Sequence, residues 1–184
     1  MNRLILALLL VAGLSGPAAA DINPQIGFFR QLTALCGKSF EGRVVSTDPA
    51  DKDFADKRLV MRVGECTDRE VRIPFAVGDD RSRTWVITML DATHVRLKHD
   101  HRHEDGSEDV LSNYGGDSDG AGSSWRQEFP ADAFSQTLFR EKGNPVSVDN
   151  VWAVEVTDTL FAYELRRPNR HFRVEFDLTR PLAG

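Results

Sequence analysis

The chain has 184 residues, with 23 Lys and Arg against 28 Asp and Glu, for a net charge of −5 at pH 7. Both signs are interspersed along its length, which argues against nucleic acid or an anionic membrane surface as the main partner. After residue 20 no stretch is apolar enough to anchor in a bilayer, so no membrane span is expected.

Met1-Asn2-Arg3 gives a positive start, and Leu4 to Val11 an apolar run shorter than the roughly 20 residues of a membrane span. Ala18-Ala19-Ala20 are the small residues that a signal peptidase accepts. The expectation is a signal peptide over residues 1–20 and one domain over 21–184, soluble in the periplasm or outside the cell. Asp21 rather than Cys follows the cut, so no amino-terminal cysteine is left to lipidate. Cys36 and Cys66 are the only cysteines, and an even count in an exported chain favours a disulfide between them. On the chain-entropy argument such a loop contributes roughly 3 kcal/mol.

Asn23-Pro24 reads as an N-cap followed by proline in the first helical turn. Ile26, Phe29 and Thr33, with Leu32 and Leu35 beside them, predict a short amphipathic helix from about Pro24 to Cys36, stopped by Gly37. From Lys38 the apolar period changes to two. Phe40, Gly42 and Val44 mark a first strand, and Thr47 to Lys57 a charged loop. Leu59, Met61 and Val63 mark a second strand, and Cys66 to Asp68 a turn. Val71, Ile73, Phe75 and Val77 form a third strand with Pro74 facing outward, as at a bulge or a locally unpaired edge. Gly78-Asp79-Asp80 turns the chain into a fourth strand with Trp85, Ile87 and Met89.

The fifth strand begins at Val95, and Asp105-Gly106 makes the turn after it. Val110 to Gly116 and Ser123 to Phe129 read as strands six and seven, joined by a glycine-rich loop. Pro130 to Val146 is irregular, with a helical turn around Ala133 to Phe139. Trp152, Val154 and Val156, then Phe161, Tyr163 and Leu165, then Phe172, Val174, Phe176 and Leu178 mark the last three strands. Arg167-Pro168-Asn169-Arg170 is a tight hairpin between the final two. Ten alternating strands joined by mostly short turns predict an all-β fold: a single antiparallel up-and-down barrel of about ten strands with a short N-terminal helix. A two-sheet β-sandwich is the alternative, because alternation does not distinguish the two.

Leu35-Cys36-Gly37-Lys38-Ser39-Phe40-Glu41-Gly42, reached from a helix, resembles the opening of calycin barrels, especially the fatty-acid-binding-like (lipocalin-like) and nitrobindin-like members. There an aromatic and two glycines at this spacing plug the closed end. The resemblance implies a calycin-like barrel along most of the mature chain. Separately, Lys98-His99-Asp100-His101-Arg102-His103-Glu104-Asp105-Gly106, Tyr114-Gly115-Gly116 and Arg126-Gln127-Glu128-Phe129-Pro130 together resemble a group of small secreted bacterial proteins with no assigned activity. Nitrobindin-like proteins carry a haem-binding histidine on a late strand. Here His171 has the polar parity beside a turn, so haem is not carried over.

The chemistry-bearing stretch is Val95 to Gly106. On a strand, Val95, Leu97, His99, His101 and His103 share the inner face, while Arg96, Lys98, Asp100 and Arg102 face water. Alternate strand residues lie about 6.6 Å apart, so His99 and His101 can lean together on one metal, zinc or another divalent ion, at about 2.0–2.1 Å per nitrogen. Val110, Ser112 and Tyr114 face them if the intervening loop is even, and Gln127 or Glu128 could reach in from strand seven. The candidate ligand-binding set is therefore His99, His101, His103, Tyr114 and Gln127, with His99 and His101 as metal ligands. The same histidines could instead be neutral, hydrogen-bonded imidazoles at a barrel mouth. Asp117 to Gly122 with Glu128 approaches a calcium loop, but Ala121 replaces one oxygen ligand and the flanks read as strands. Trp85, Trp125, Phe161 and Tyr163 read as core. Three functions stay open: an exported barrel that binds a small molecule or metal, a structural or interaction protein with a filled barrel, and an enzyme pairing a mouth histidine such as His101 with a carboxylate such as Glu128.

Overall fold

The computed structural model describes residues 23–120 and 122–183. The expected signal peptide lies outside the described residues. Asn23 caps the first helix, α1 (Pro24–Thr33), its side-chain oxygen accepting from the Gln25 N–H at 3.0 Å. The helix is shorter than its pattern predicts: Leu35 and Cys36 bond the carbonyls three residues back, tightening the chain before the Cys36–Cys66 disulfide. Its buried side is Gln25, Phe28, Phe29 and Leu32, one position round from the face expected through Ile26 and Thr33.

Ten strands follow: β1 (Ser39–Val44), β2 (Leu59–Arg62), β3 (Glu70–Val77), β4 (Asp80–Met89), β5 (Val95–His101), β6 (Tyr114–Asp117), β7 (Arg126–Pro130), β8 (Val151–Val156), β9 (Leu160–Arg167) and β10 (Arg170–Asp177). Each pairs antiparallel with its sequence neighbours except across β6 and β7, and β1 pairs with β10. The result is an all-β, nearly closed ten-strand antiparallel barrel, as the alternation predicts, and not a sandwich. The outward Pro74 lies beside the predicted irregularity, a register shift between Phe75 and Val77.

Four further segments differ from the sequence expectation. The charged loop after β1 holds a 3₁₀ turn and a one-turn helix, α2 (Lys52–Ala55), because Phe54 packs on Phe172 and Phe75 with ring centroids at 5.1 and 6.5 Å. Strand six is only its last part: Val110 is 68 % exposed, since Asp109 Oδ1 takes the Leu111 N–H and Asn113 turns the chain at positive φ. Trp125, expected in the core, is 47 % exposed on the turn before β7. The helical turn expected after Pro130 is a full helix, α3 (Ala133–Glu141), capped by Asp132.

The two ends of the barrel differ. At the α1 end Phe28, Phe29 and Leu32 cover an interior filled by Phe40, Met61, Ile73, Ile87, Leu97, Phe161 and Phe176. Gly42 leaves room there for the Phe176 ring, which a Cβ would meet at 2.5 Å. The other end, rimmed by α2, α3 and the loops before β6 and β8, is hollow.

The seam between β6 and β7 closes without a ladder. Asp119 N–H bonds the Glu128 carbonyl at 3.1 Å and Asp132 N–H the Gly115 carbonyl at 3.0 Å. Between these bonds the β6 and β7 backbones touch, a Cβ on Gly116 standing 1.8 Å from the Pro130 oxygen, while on the β5 side of β6 a Cβ on Gly115 would stand 1.9 Å from the Leu97 oxygen. Neither backbone oxygen can move aside without opening the sheet. Gly116→Ala should therefore cost at least about 3 kcal/mol, at the upper end for overpacking. Gly64→Ala, whose Cβ would meet nothing nearer than 3.4 Å, serves as the control in the same chemical denaturation series.

Candidate functional site

The hollow end encloses a cavity of about 520 Å³. Its wall is built by strand parity: β4 supplies Trp85, β5 His99, β8 Trp152, β9 Tyr163 and Leu165, and β10 Phe172. Tyr114 and Phe139 close one side, Phe54 and Phe75 another. The rings pack against each other, Trp85 on Tyr163 at 4.4 Å and on Phe75 at 4.6 Å, and His99 on Tyr114 at 4.5 Å. Eight of the residues that border it are Phe, Tyr or Trp, and its polar groups fall into two sets by depth.

The inner set centres on His99, which is 6 % exposed. Its Nδ1 lies 3.1 Å from the Tyr114 carbonyl and its Nε2 2.7 Å from the Tyr163 hydroxyl. A carbonyl only accepts, so Nδ1 carries the proton, and the Tyr163 hydroxyl donates to Nε2. Burial holds the imidazole pKa down to about 3, against the bond to the Tyr114 carbonyl and reinforced by the His101 and Lys98 charges. Burial likewise pushes Tyr114 up to about 12. Both ring nitrogens of His99 are thus spent on the protein.

The outer set lies on the rim. His101 Nε2 is 3.2 Å from Ser82 Oγ, and its Nδ1 3.8 Å from Asp109 Oδ2. Burial and Arg83 lower its pKa, opposed by Asp109. Arg83 pairs with Asp80 and stands over the Phe54 ring at 5.6 Å. Arg170 pairs with Asp51 at 2.5 Å and Asp48 at 3.4 Å. Asp100, expected to face water, is buried between Arg72 and Arg102. Arg167 bonds the Asn150 side-chain oxygen at 3.1 Å, and no carboxylate of the described residues is within ion-pair distance of it.

The candidate residues named from sequence do not all meet. His99, His101 and Tyr114 border the cavity. His103 lies past the end of β5, exposed and outside the cavity, because the strand ends at His101; its Nε2 is 3.9 Å from Asp109. Gln127 points inward but at the filled end, where its amide donates to the Ser123 carbonyl at 2.9 Å. Glu128 sits on the outer face between Arg126 and Arg166, away from His101. Among the described residues no group of three His, Cys, Asp or Glu is placed to hold a metal ion. Sequence reading missed Arg167, Arg170 and Asn150. The two arginines were within reach: they continue the inward parity of Tyr163-Leu165 and of Phe172-Val174 to the last rung, where they pair across the hairpin.

Comparison with protein-family models, with curated proteins and with solved structures found no match for this chain. Its class therefore rests on architecture: a ten-strand antiparallel meander barrel, compatible with a calycin-like fold, hollow at one end.

The buried neutral imidazole makes stability depend on pH. In the unfolded chain His99 takes up a proton near pH 6.5, whereas in the folded chain it does so only near pH 3. Its contribution is complete above pH 6.5 and is lost as pH falls toward 3, at up to about 1.4 kcal/mol per pH unit. His99→Gln should flatten the denaturation free energy between pH 6 and 4, above the range where carboxylates dominate. NMR of the wild type should show one imidazole that does not titrate above pH 4.

Proposed function

We propose that this protein is an exported barrel that binds a small, largely apolar, ring-bearing organic molecule in its hollow end. The observation that carries the reading is the aromatic cavity of about 520 Å³ beside a fully packed half. Its size falls within the range of small-molecule sites. A barrel whose task was structural would have side chains at both ends, as at the α1 end. The apolar leader of the sequence and the Cys36–Cys66 disulfide support export. An organic ligand is favoured over a metal ion because His99 has no free nitrogen to ligate one. Native mass spectrometry of protein purified from its own host should show a retained species that is lost on denaturation. Leu165→Trp, which projects a large ring into the mouth, should abolish that retention while leaving the far-ultraviolet spectrum unchanged. Bare wild-type protein would count against the reading.

A second reading rests on the row Ser82–His101–Asp109, which also borders a shallow groove outside the rim. Serine, imidazole and carboxylate in that order are the parts of a nucleophilic hydrolase. His101 would take the Ser82 proton as the hydroxyl attacks an ester carbonyl and pass it to the alcohol that leaves as the ester C–O bond breaks; water, deprotonated by His101, would then hydrolyse the acyl-serine and return the proton to Ser82. The 3.8 Å between His101 and Asp109 is loose for the task and would have to shorten with substrate bound. If this reading holds, p-nitrophenyl acetate hydrolysis should exceed background and vanish in Ser82→Ala; equal rates in the two proteins eliminate it.

A further inference from the structure

Resting on the cavity reading above, we propose that the ligand is an organic monoanion, a carboxylate on an aromatic body, bound with its ring system buried and its charged group outward against Arg167 and Asn150 at the mouth. The polar groups of the cavity divide in a way that fixes this direction. At the inner wall His99 uses both nitrogens, the Tyr163 hydroxyl donates to His99, and Trp85 stacks on the Tyr163 ring. The Tyr114 hydroxyl has no hydrogen bond to the described residues, but a neutral donor cannot balance a charge. A carboxylate pushed to that depth would lose its water and find no cation, a costly arrangement. An aromatic ring placed there meets only ring faces and edges, the contacts aromatic groups favour.

At the rim the charges nearly cancel. Arg83 is held by Asp80, Arg170 by Asp48 and Asp51, and Asp100 by Arg72 and Arg102. Asp109 takes the Leu111 N–H at 2.8 Å and faces His101 and His103. One guanidinium on the lining, Arg167, has no anionic partner among the described residues. Its neighbour on the same side, Asn150, accepts from Arg167 through Oδ1, which leaves the amide N–H₂ as a donor next to the guanidinium. A forked cation beside an amide donor suits a carboxylate, which takes paired bonds from arginine. Ser147 and Asn144 border the same part of the cavity and add polar surface around the head.

The test is isothermal titration of the purified protein with 2-naphthoate and with 2-naphthamide, which share shape but not charge. The wild type should bind the acid about tenfold more tightly than the amide, the scale of one charge-assisted pair. Arg167→Gln should remove that preference while holding the amide affinity within about twofold, which also reports an intact cavity. Because the head sits at a solvent-facing rim, raising salt from ~0.05 to ~0.5 M should weaken the acid and not the amide. If neither probe binds, the cavity reading falls and takes this one with it. Equal affinities in the wild type would leave the cavity standing and remove the anionic head. A preference that survives Arg167→Gln, or that only Tyr114→Phe abolishes, would place the acid group deep and overturn the outward orientation.

Discussion

Where β6 meets β7, the Gly116 backbone lies against the Pro130 carbonyl with no space for a methyl group, and everything at the hollow end follows from that contact. A strand of four residues can close a ten-strand sheet only if its neighbour comes to it. Pro130 has no N–H, so at the point of touching β7 leaves no donor unpaired. The contact is braced on both sides: Ser135 Oγ bonds Gly115 N–H at 2.7 Å and its carbonyl at 2.9 Å, and Lys98 reaches Asp132 at 2.6 Å. Together these hold α3 to the seam. With β6 pulled tight, Tyr114 is laid on the His99 ring, and α3 brings Phe139 against both Tyr114 and Trp152. The wall of the cavity is thus a consequence of how the sheet closes.

The same contact brings three separated sequence stretches together. Lys98 to Gly106, Tyr114-Gly115-Gly116 and Arg126 to Pro130 are β5, β6 and β7 with their turns, and they meet at the seam. Outside β6 and the start of β7, period-two alternation revealed the strands and their inward faces, because one face of each strand is buried and register cannot slip by one without exposing it. It could not reveal which strands meet across the barrel. Nor could it show that β5 stops at His101, since His103 continues the pattern in sequence while the Asp105-Gly106 turn has already taken the backbone away. Val110 and Trp125 misled for a related reason: apolar residues beside turns carry the parity of a strand without its hydrogen bonds. Phe54, a lone aromatic among charges, was the available sign that the loop after β1 folds back onto the mouth.

The histidine row also shows how a motif divides once it is folded. His99 is spent inside the protein, orienting Tyr163 and Tyr114; His101 belongs to the rim; His103 belongs to solvent. Alternation placed all three histidines on one inner face and paired His99 with His101, whereas depth gives each a different dielectric and a different partner. Among the described residues that line the cavity, the guanidinium without a carboxylate partner is instead Arg167, which strand parity could have placed inward but which beside a Pro-Asn turn reads as ordinary surface. On the outer face of β7 to β10, by contrast, arginines are fully engaged: Arg126 bonds Glu164 at 2.7 Å, Arg166 bonds Glu128, and Arg173 bonds Glu175 at 2.8 Å together with Glu155 and Glu164. A guanidinium held only by an amide oxygen is informative here because carboxylate-paired ones are the rule on the neighbouring face.

Stability is distributed to suit such a site. A cavity removes packing partners from the side chains around it, so the hollow end gains less from dispersion than a filled core would. The compensating elements lie elsewhere. The disulfide, α1 and the fully buried Phe40, Phe161 and Phe176 are at the opposite end, and the ion network runs along the outside of β7 to β10, where its bonds do not depend on what the cavity contains. The rim itself is built from α2, α3, 3₁₀ turns and loops, with Val110, Phe134 and Val146 exposed. Segments with few buried contacts open at lower free energy than core strands. The loops and short turns of the rim can therefore open while the sheet beneath them stays paired, whereas α3, tied to the seam through Ser135, stays with the sheet.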